Sequence, residues 1–418
     1  MISFDVNVGR LQCTIEKLAS IGRDDEGITR FPLSKQDLKA RTFVMKLMRE
    51  AGLEVRVDPI GNICAKRTQA QDPSLPSIMT GSHICTGYRY GKYDGTVGVL
   101  GALEAVRLLN EKNITTVHPI EIVVFTAEEP QRFKAFMPGS RAMAGNISTG
   151  DLRRYMDENG VTIWDALIKA GYHPENLNTA QRTKKSIKSY VEMHIEQGRV
   201  LEDAGKRIGI VTGIAAPTRF EVFITGRADH SGATPMGLRK DALCAAAELT
   251  LALEQYAQIE AKYGSVATVG NIVVEPGSMV VIPGKVRMLI DIRGIEPSSK
   301  KTLVEKTKEK IQKIAESRKI EMHYEVIHDA EPVPLSNKVM QVIKESCEAL
   351  DIEYLMMPSG AGHDAQQIAR FTDVGMIFVP SVRGISHSPD ELTKIGDIAL
   401  GTKVLTNVLV RLGGIAKN

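Results

Sequence analysis

The stretch from Pro119 to Phe125 constrains the fold most. Ile120, Ile122, Val123, Val124 and Phe125 make a near-continuous apolar run broken only by Glu121. A run this short and this apolar is the pattern of a strand buried on both faces of a sheet. Helix and strand patterns interleave around it. Residues 36–51 carry Leu38, Phe43, Val44, Leu47 and Met48 at helical spacing, with Gly52 as a natural stop. Val55 to Val57 alternates as a strand and runs into turn residues Pro59 to Asn62. Pro76 to Thr80 reads as a short strand, with His83 just past its end, and an apolar helix follows from about Gly95 to Asn110. This interleaving implies a mixed or parallel α/β sheet, whose ligands sit beyond the carboxyl ends of the strands.

The pattern changes in the middle of the chain. Phe220 to Thr225, Val286 to Ile292 and Glu321 to Val326 alternate as strands, and strong helical patterns run from Leu238 to Ala261 and from Ser298 to Ser317. The order reads strand–helix–strand–strand–helix–strand, that of a ferredoxin-like sandwich. It is placed at residues 214–329, inserted between two parts (1–213 and 330–418) of the larger α/β domain. The last part returns to α/β, with a helix at 336–350 and strands near 353–357 and 375–379. At roughly 150 residues per domain, 418 residues fit such an arrangement, and 43% hydrophobic residues suffice for its cores.

Charge and cysteine content narrow the partners. Lys and Arg number 53 against 50 Asp and Glu, a net charge of +3, which gives no case for nucleic acid or a membrane as the main partner. Cys13, Cys64, Cys85, Cys244 and Cys347 are sparse, odd in number and without CxxC spacing, which fits a reducing compartment. The segment Met1 to Val6 has neither a basic region nor an apolar stretch, and no run of 18 apolar residues occurs. The expected location is cytoplasmic.

The histidines and acids fall at strand ends. His83 follows one strand and Asp94 lies in the turn before a helix. Glu128 and Glu129 end the buried strand. His194 sits on an alternating strand whose Val191, Met193 and Ile195 take the opposite face, and His387 lies in a loop beyond an apolar strand. Three histidines with Asp and Glu suit zinc, or manganese and cobalt in the same geometry. An Asp shared by two ions would make a two-metal hydrolytic site. The adjacent glutamates would then divide the work, one binding metal and the other acting as general base. Taken singly, each residue reads as readily as a structural histidine or a solvated acid.

Taken in order, the segments Gly81 to Thr86, Tyr93 to Gly95, Glu128 to Phe133, His194 to Gly198, Asp229 to Met236, Val281 to Gly284, Asp291 to Arg293, Gly360 to Asp364 and Ser386 to Ser388 resemble the allantoate amidohydrolase and N-carbamoyl-L-amino-acid hydrolase group. That group belongs to the superfamily of di-metal exopeptidase-like hydrolases. The resemblance covers nearly the whole chain. It implies a di-zinc exopeptidase-like catalytic domain with an inserted ferredoxin-like lid, usually a homodimer through that lid, and two divalent ions. His83 and His194 would hold one ion, Glu129 and His387 the other, with Asp94 bridging. Glu128 would be the general base. His230 on the lid would stabilise the oxyanion, and Arg293 would grip the carboxylate of a small amide substrate. Gln197, Arg219, Gly360, Ala361 and His363 would line the same pocket.

Three positions depart from the pattern. Cys85 stands where the group has an Asp that orients the ligand histidine. It reads as a weak outer partner, a thiolate near the metals or a neutral replacement. Val280 stands where an Asn is usual, removing an amide that touches substrate, and Pro130 stands where Gly is usual. These changes disfavour allantoate itself and point to another N-carbamoyl or N-acyl amino acid. A dipeptidase or aminopeptidase-like activity and a catalytically weakened binding homologue are the alternatives.

Overall fold

A computed structural model describes residues 4–416. Met1 to Ser3, part of the segment read above for a leader, lie outside the described residues. The chain divides into two compact units, one comprising residues through Thr212, Leu335–Met357 and His363 onward, the other Gly213–Pro334 with Pro358–Gly362.

The first unit is built on a mixed sheet. Its central strands Asp373–Val379, Ile187–Ile195, Ser77–His83 and Ile120–Phe125 lie side by side and parallel. Antiparallel strands flank them, Ile63–Arg67 and then Glu54–Val57 on one side and the strand starting at Ile208 on the other. Ile120–Phe125 is buried at every position, as its apolar run requires. Helices Thr96–Glu111 and Ile395–Gly413 pack on each other and on the central strands. Their side chains, Val97, Leu100, Leu103, Leu405 and Leu409 among them, fill the core with Ile78, Ile122, Val191 and Met193.

Two local readings change. His83 is the last residue of its strand rather than just past it, because Gly81 keeps the strand going. At φ +141° a side chain there would strike the Val123 carbonyl of the neighbouring strand, so only glycine continues the pairing. The strand carrying His194 does not alternate between core and solvent; Ile187–Ile195 is buried on both faces but for Lys188. It sits between parallel neighbours on both sides, which leaves no face for water.

Among the described residues the second unit forms a four-stranded antiparallel sheet, ordered Val266–Glu275, Lys285–Gly294, Ala216–Thr225, Glu321–Asp329. Helices Ala242–Glu260 and Pro297–Arg318 cover one face, packing Leu249, Leu303 and Ile311 onto Phe220, Val222, Met288 and Ile290. With the helices in place the order is that of a ferredoxin-like sandwich. The strand Val266–Glu275 is the one that the strand–helix order implies but to which the sequence assigned no residues. It is an exposed edge strand, and a register shift between Val269 and Asn271 breaks its alternation. Helix Ala242–Glu260 starts four residues later than its periodicity suggests, because Asp241 caps it by accepting from the Leu243 and Cys244 N–H groups. Among the described residues no helix is long and apolar enough to cross a membrane.

Candidate metal centre and active site

The first unit gathers the acids and histidines beyond the carboxyl ends of its central strands. His83 and His194 end or nearly end two parallel strands, and Asp94 lies in the turn before helix Thr96–Glu111. Asp94, 4% exposed, is the hub. Its Oδ1 lies 3.2 Å from His194 Nε2 and 3.5 Å from His83 Nε2, and its Oδ2 lies 2.9 Å from His387 Nε2. Gly95 makes room for this convergence: a Cβ there would sit 2.5 Å from the His83 ring.

Two ligand groups share Asp94, one completed by His83 and His194, the other by Glu129 and His387, with candidate ligand atoms within 4.8 Å of one another. Glu128 stands beside them, its Oε2 3.6 Å from His83 Nε2. Gln197 donates from Nε2 to Asp94 Oδ2 at 2.8 Å. His363 packs its ring against that of His194, centroids 4.6 Å apart. Ala127, Gln197 and His387 all hold positive φ, an uncommon backbone state for side-chain-bearing residues that clusters at functional sites.

Hydrogen bonds set the tautomers. His83 Nδ1 meets the Cys85 carbonyl oxygen at 3.1 Å, and His194 Nδ1 meets that of Ile195 at 2.9 Å. A carbonyl only accepts, so each Nδ1 carries the proton and each Nε2 presents a lone pair. The Gly95 N–H donates to His194 Nε2 at 3.2 Å, as that tautomer requires. Both lone pairs then face a carboxylate oxygen, an arrangement that calls for a cation or a further proton between them. The buried Gln197 Oε1 beside them has no hydrogen-bond partner. This set of imidazole and carboxylate donors fits divalent ions.

The electrostatics agree with that fit. Burial works to raise the Asp94 pKa, but the imidazoles of His194, His387 and His83 that face it outweigh burial when they carry a second proton, and hold the carboxyl well below its usual range. Burial pushes Glu128 well above the usual glutamate range, with Glu129, Asp364 and Asp94 adding to the rise against His83. Burial and the Asp94 charge push Glu129 up to about 7. Burial and then His194 hold His363 well below an ordinary histidine, so its ring stays neutral. Crowded acids raised in this way are what a dication would relieve.

The remaining candidates lie on the second unit. His230 accepts at Nδ1 from the N–H groups of Gly232 and Ala233, at 3.1 and 3.2 Å, so its proton is on Nε2. The loop carrying Val280 runs alongside: Ser231 N–H donates to the Val280 carbonyl and Ile282 N–H to that of Asp229. Val280 is itself exposed. Arg219 and Arg293 meet at Asp291, each donating from Nε at 2.8 Å, and Arg293 Nη1 donates to the Gly360 carbonyl at 3.0 Å. Arg219 and Asp291 are directly opposed across adjacent strands, which accounts for their pairing. Ala361 lies next to Gly360, bonded to the Ser359 hydroxyl.

A family model for peptidase family M20/M25/M40 matches residues 81–411. The chain belongs to this family. Within it, the chain is 41% identical to an N-carbamoyl-L-amino-acid amidohydrolase of a Pseudomonas species, over 98% of this chain and all of that one. It is 39% identical to a ureidoglycolate hydrolase of Arabidopsis thaliana, over 98% of this chain and 87% of the relative. Among solved structures it is similar to a hydantoinase/carbamoylase family amidase of Burkholderia multivorans, with TM-score 0.92, 32% identity and 98% of each chain covered.

Three residues packed around this candidate site escaped the sequence reading. Glu391 accepts the backbone N–H groups of Tyr93 and Asp94, at 2.8 and 3.2 Å, and the Ser386 hydroxyl at 3.0 Å. It ties the Asp94 turn to the His387 loop. Its only signal is an acid four residues after a candidate ligand. Glu192, two residues before His194, accepts from the Ser82 and Tyr190 hydroxyls. A glutamate inside an otherwise apolar strand is the signal that could have found it. Tyr90 stacks on His387 and carries no sequence signal at all.

Proposed function

We propose that the protein hydrolyses the linear amide C–N bond of an N-carbamoyl or N-acyl amino acid, with two divalent ions, zinc or manganese, held by His83, His194, Glu129 and His387 around a bridging Asp94. The observation that carries this reading is Asp94 between three histidine Nε2 atoms, beside the Glu128–Glu129 pair. Divalent ions there would polarise the amide carbonyl and acidify the attacking water.

The chain's own residues do the rest. Glu128 takes the proton from the attacking water and delivers it to the departing nitrogen. The raised pKa of its largely buried carboxyl suits a group that must both accept and donate. His230, with its proton pinned on Nε2, donates to the oxyanion that forms as the carbonyl carbon becomes tetrahedral. Arg293 grips the substrate carboxylate; Asp291 shares its charge between Arg293 and Arg219, leaving the trio a net +1 that matches one carboxylate. Gln197 and His363 would contact substrate from the first unit, and Gly360 and Ala361 from the second. Val280, apolar and next to the His230 loop, favours substrates other than allantoate.

We assign residues 1–213 and 330–418 to catalysis and 214–329 to a lid that also dimerises. Support for a homodimer comes from the exposed edge strand Val266–Glu275 and from Leu251, Ile259 and Tyr263, exposed on and just after the neighbouring helix. The unpaired cysteines support a cytoplasmic location. A dipeptidase-like activity shares the arginine grip. It is separated by product: N-carbamoyl substrates yield ammonia and carbon dioxide with the amino acid, N-acyl substrates a carboxylic acid, and peptides two amino acids.

The deciding variant is Glu128→Gln. Its turnover is expected to fall by about 10²–10⁴-fold with metal content unchanged. Undiminished turnover would remove Glu128 from the reaction.

A further inference from the structure

Tyr90 is buried at 3% exposure, and its backbone is held by paired hydrogen bonds with Ile28, both 2.9 Å. Its side chain reaches two candidate ligands at once. The ring stacks on the imidazole of His387, centroids 4.3 Å apart and planes 16° from parallel. The hydroxyl lies 3.3 Å from Glu129 Oε2.

Gln131 fixes the direction of that contact. Its Oε1 accepts the Tyr88 backbone N–H at 2.7 Å, which sets the amide orientation, so its Nε2 must donate to the Tyr90 oxygen, also at 2.7 Å. The phenol already accepts from Gln131, and its single proton goes to Glu129 Oε2. That leaves Glu129 Oε1, the oxygen 3.8 Å from His387 Nε2, as the one turned toward a cation. From this geometry we infer that Tyr90, set by Gln131, is a positioning residue for one metal position only, the one held by Glu129 and His387. The inference rests on the proposed ligand set. His83 and His194 are oriented by backbone carbonyls instead, so the two positions differ in how they are built.

The ring and the hydroxyl act separately. The flat ring limits rotation of His387, which otherwise stands on an exposed loop. The hydroxyl stops Glu129 from turning its second oxygen inward. Outer partners of this kind are worth about 10–100-fold in metal affinity.

The test is a chelator-competition titration of the full-length protein loaded with zinc, counting ions per chain and the affinity of each step, for wild type, Tyr90→Phe, Tyr90→Leu and His387→Ala. His387→Ala is expected to lose one ion and identifies that step. Tyr90→Phe keeps the stacking and loses the donor; it is expected to weaken the same step about tenfold and leave the other unchanged. Tyr90→Leu is expected to weaken it further. If His387→Ala still holds both ions, the ligand assignment itself fails. If His387→Ala loses one ion while Tyr90→Phe titrates as wild type, the inference about Tyr90 is overturned. It is also overturned if both steps weaken together. Tyr90→Phe decides the matter alone should Tyr90→Leu fold poorly, as checked by circular dichroism.

Discussion

His83 donates from Nδ1 to the backbone carbonyl of Cys85 at 3.1 Å, while the Cys85 thiol lies 3.8 Å from the same nitrogen. The orienting acceptor is therefore main chain. The side chain that replaces the usual carboxylate is not what aims the ring. Burial pushes the thiol up despite His83 beside it, so Cys85 stays protonated, and it belongs to none of the candidate ligand groups among the described residues. Of the three readings of Cys85, neutral replacement fits this geometry, and the case for a weakened site loses its main support.

Cys85→Ala is accordingly expected to change the affinity for either ion by less than about tenfold, the lower bound for loss of a true outer partner. Metal content and chelator competition on the purified variant check this. A larger loss would show that the thiol itself holds His83.

The strand that leads to Glu128 is anchored by a buried ion pair. Glu121, 2% exposed, accepts from Arg182 Nη1 and Nη2, both at 3.0 Å, with Arg56 at 3.3 Å. Burial alone would raise the Glu121 pKa, but Arg182 and then Arg56 bring it below the usual glutamate value. A depressed folded-state pKa stabilises the fold above the unfolded-state value of about 4.3, and that contribution is lost as pH falls through the folded value. Glu121→Gln is expected to cost about 3 kcal/mol at pH 7, since it leaves Arg182 without its charge partner. Urea denaturation of wild type and variant checks both points: the gap between them should narrow below about pH 4.

What the sequence made legible follows from how each signal is encoded. Ile120–Phe125 and the helices of the second unit announce themselves by periodicity, because burial on two faces or one stripe dictates which positions are apolar. The strand Val266–Glu275 does not: it is an edge strand whose covered face is only partly buried, and a bulge interrupts its register. In the site, residues from six segments were readable because each sits in a short string of chemically demanding neighbours. Glu391 and Tyr90 act through contacts made across the fold, Glu391 to a turn about 300 positions earlier. No local pattern encodes such a contact. His230 and the arginine pair were singled out by residue type alone, and the tautomer of the one and the shared Asp291 of the other needed coordinates.

Glu391 makes the last prediction. Its Oε1 accepts the N–H groups of Tyr93 and Asp94, and its Oε2 accepts the Ser386 hydroxyl. It thus fixes the turn that presents Asp94, the residue common to both ligand groups. Removing it in Glu391→Ala would leave two buried N–H groups unpaired, each at about 1–3 kcal/mol, and would free the turn. Because Asp94 serves both positions, both ion-binding steps are expected to weaken together, unlike the single step lost with His387. Glu391→Gln keeps an amide oxygen for the two N–H groups, and Ser386 can reverse its hydrogen bond to accept from the new amide. Binding close to wild type is therefore expected for Glu391→Gln. Ion stoichiometry and stepwise affinity of the two variants, with thermal melts to confirm folding, make the check. Equal loss in both variants would mean that the charge of Glu391, and not its grip on the turn, sustains the site.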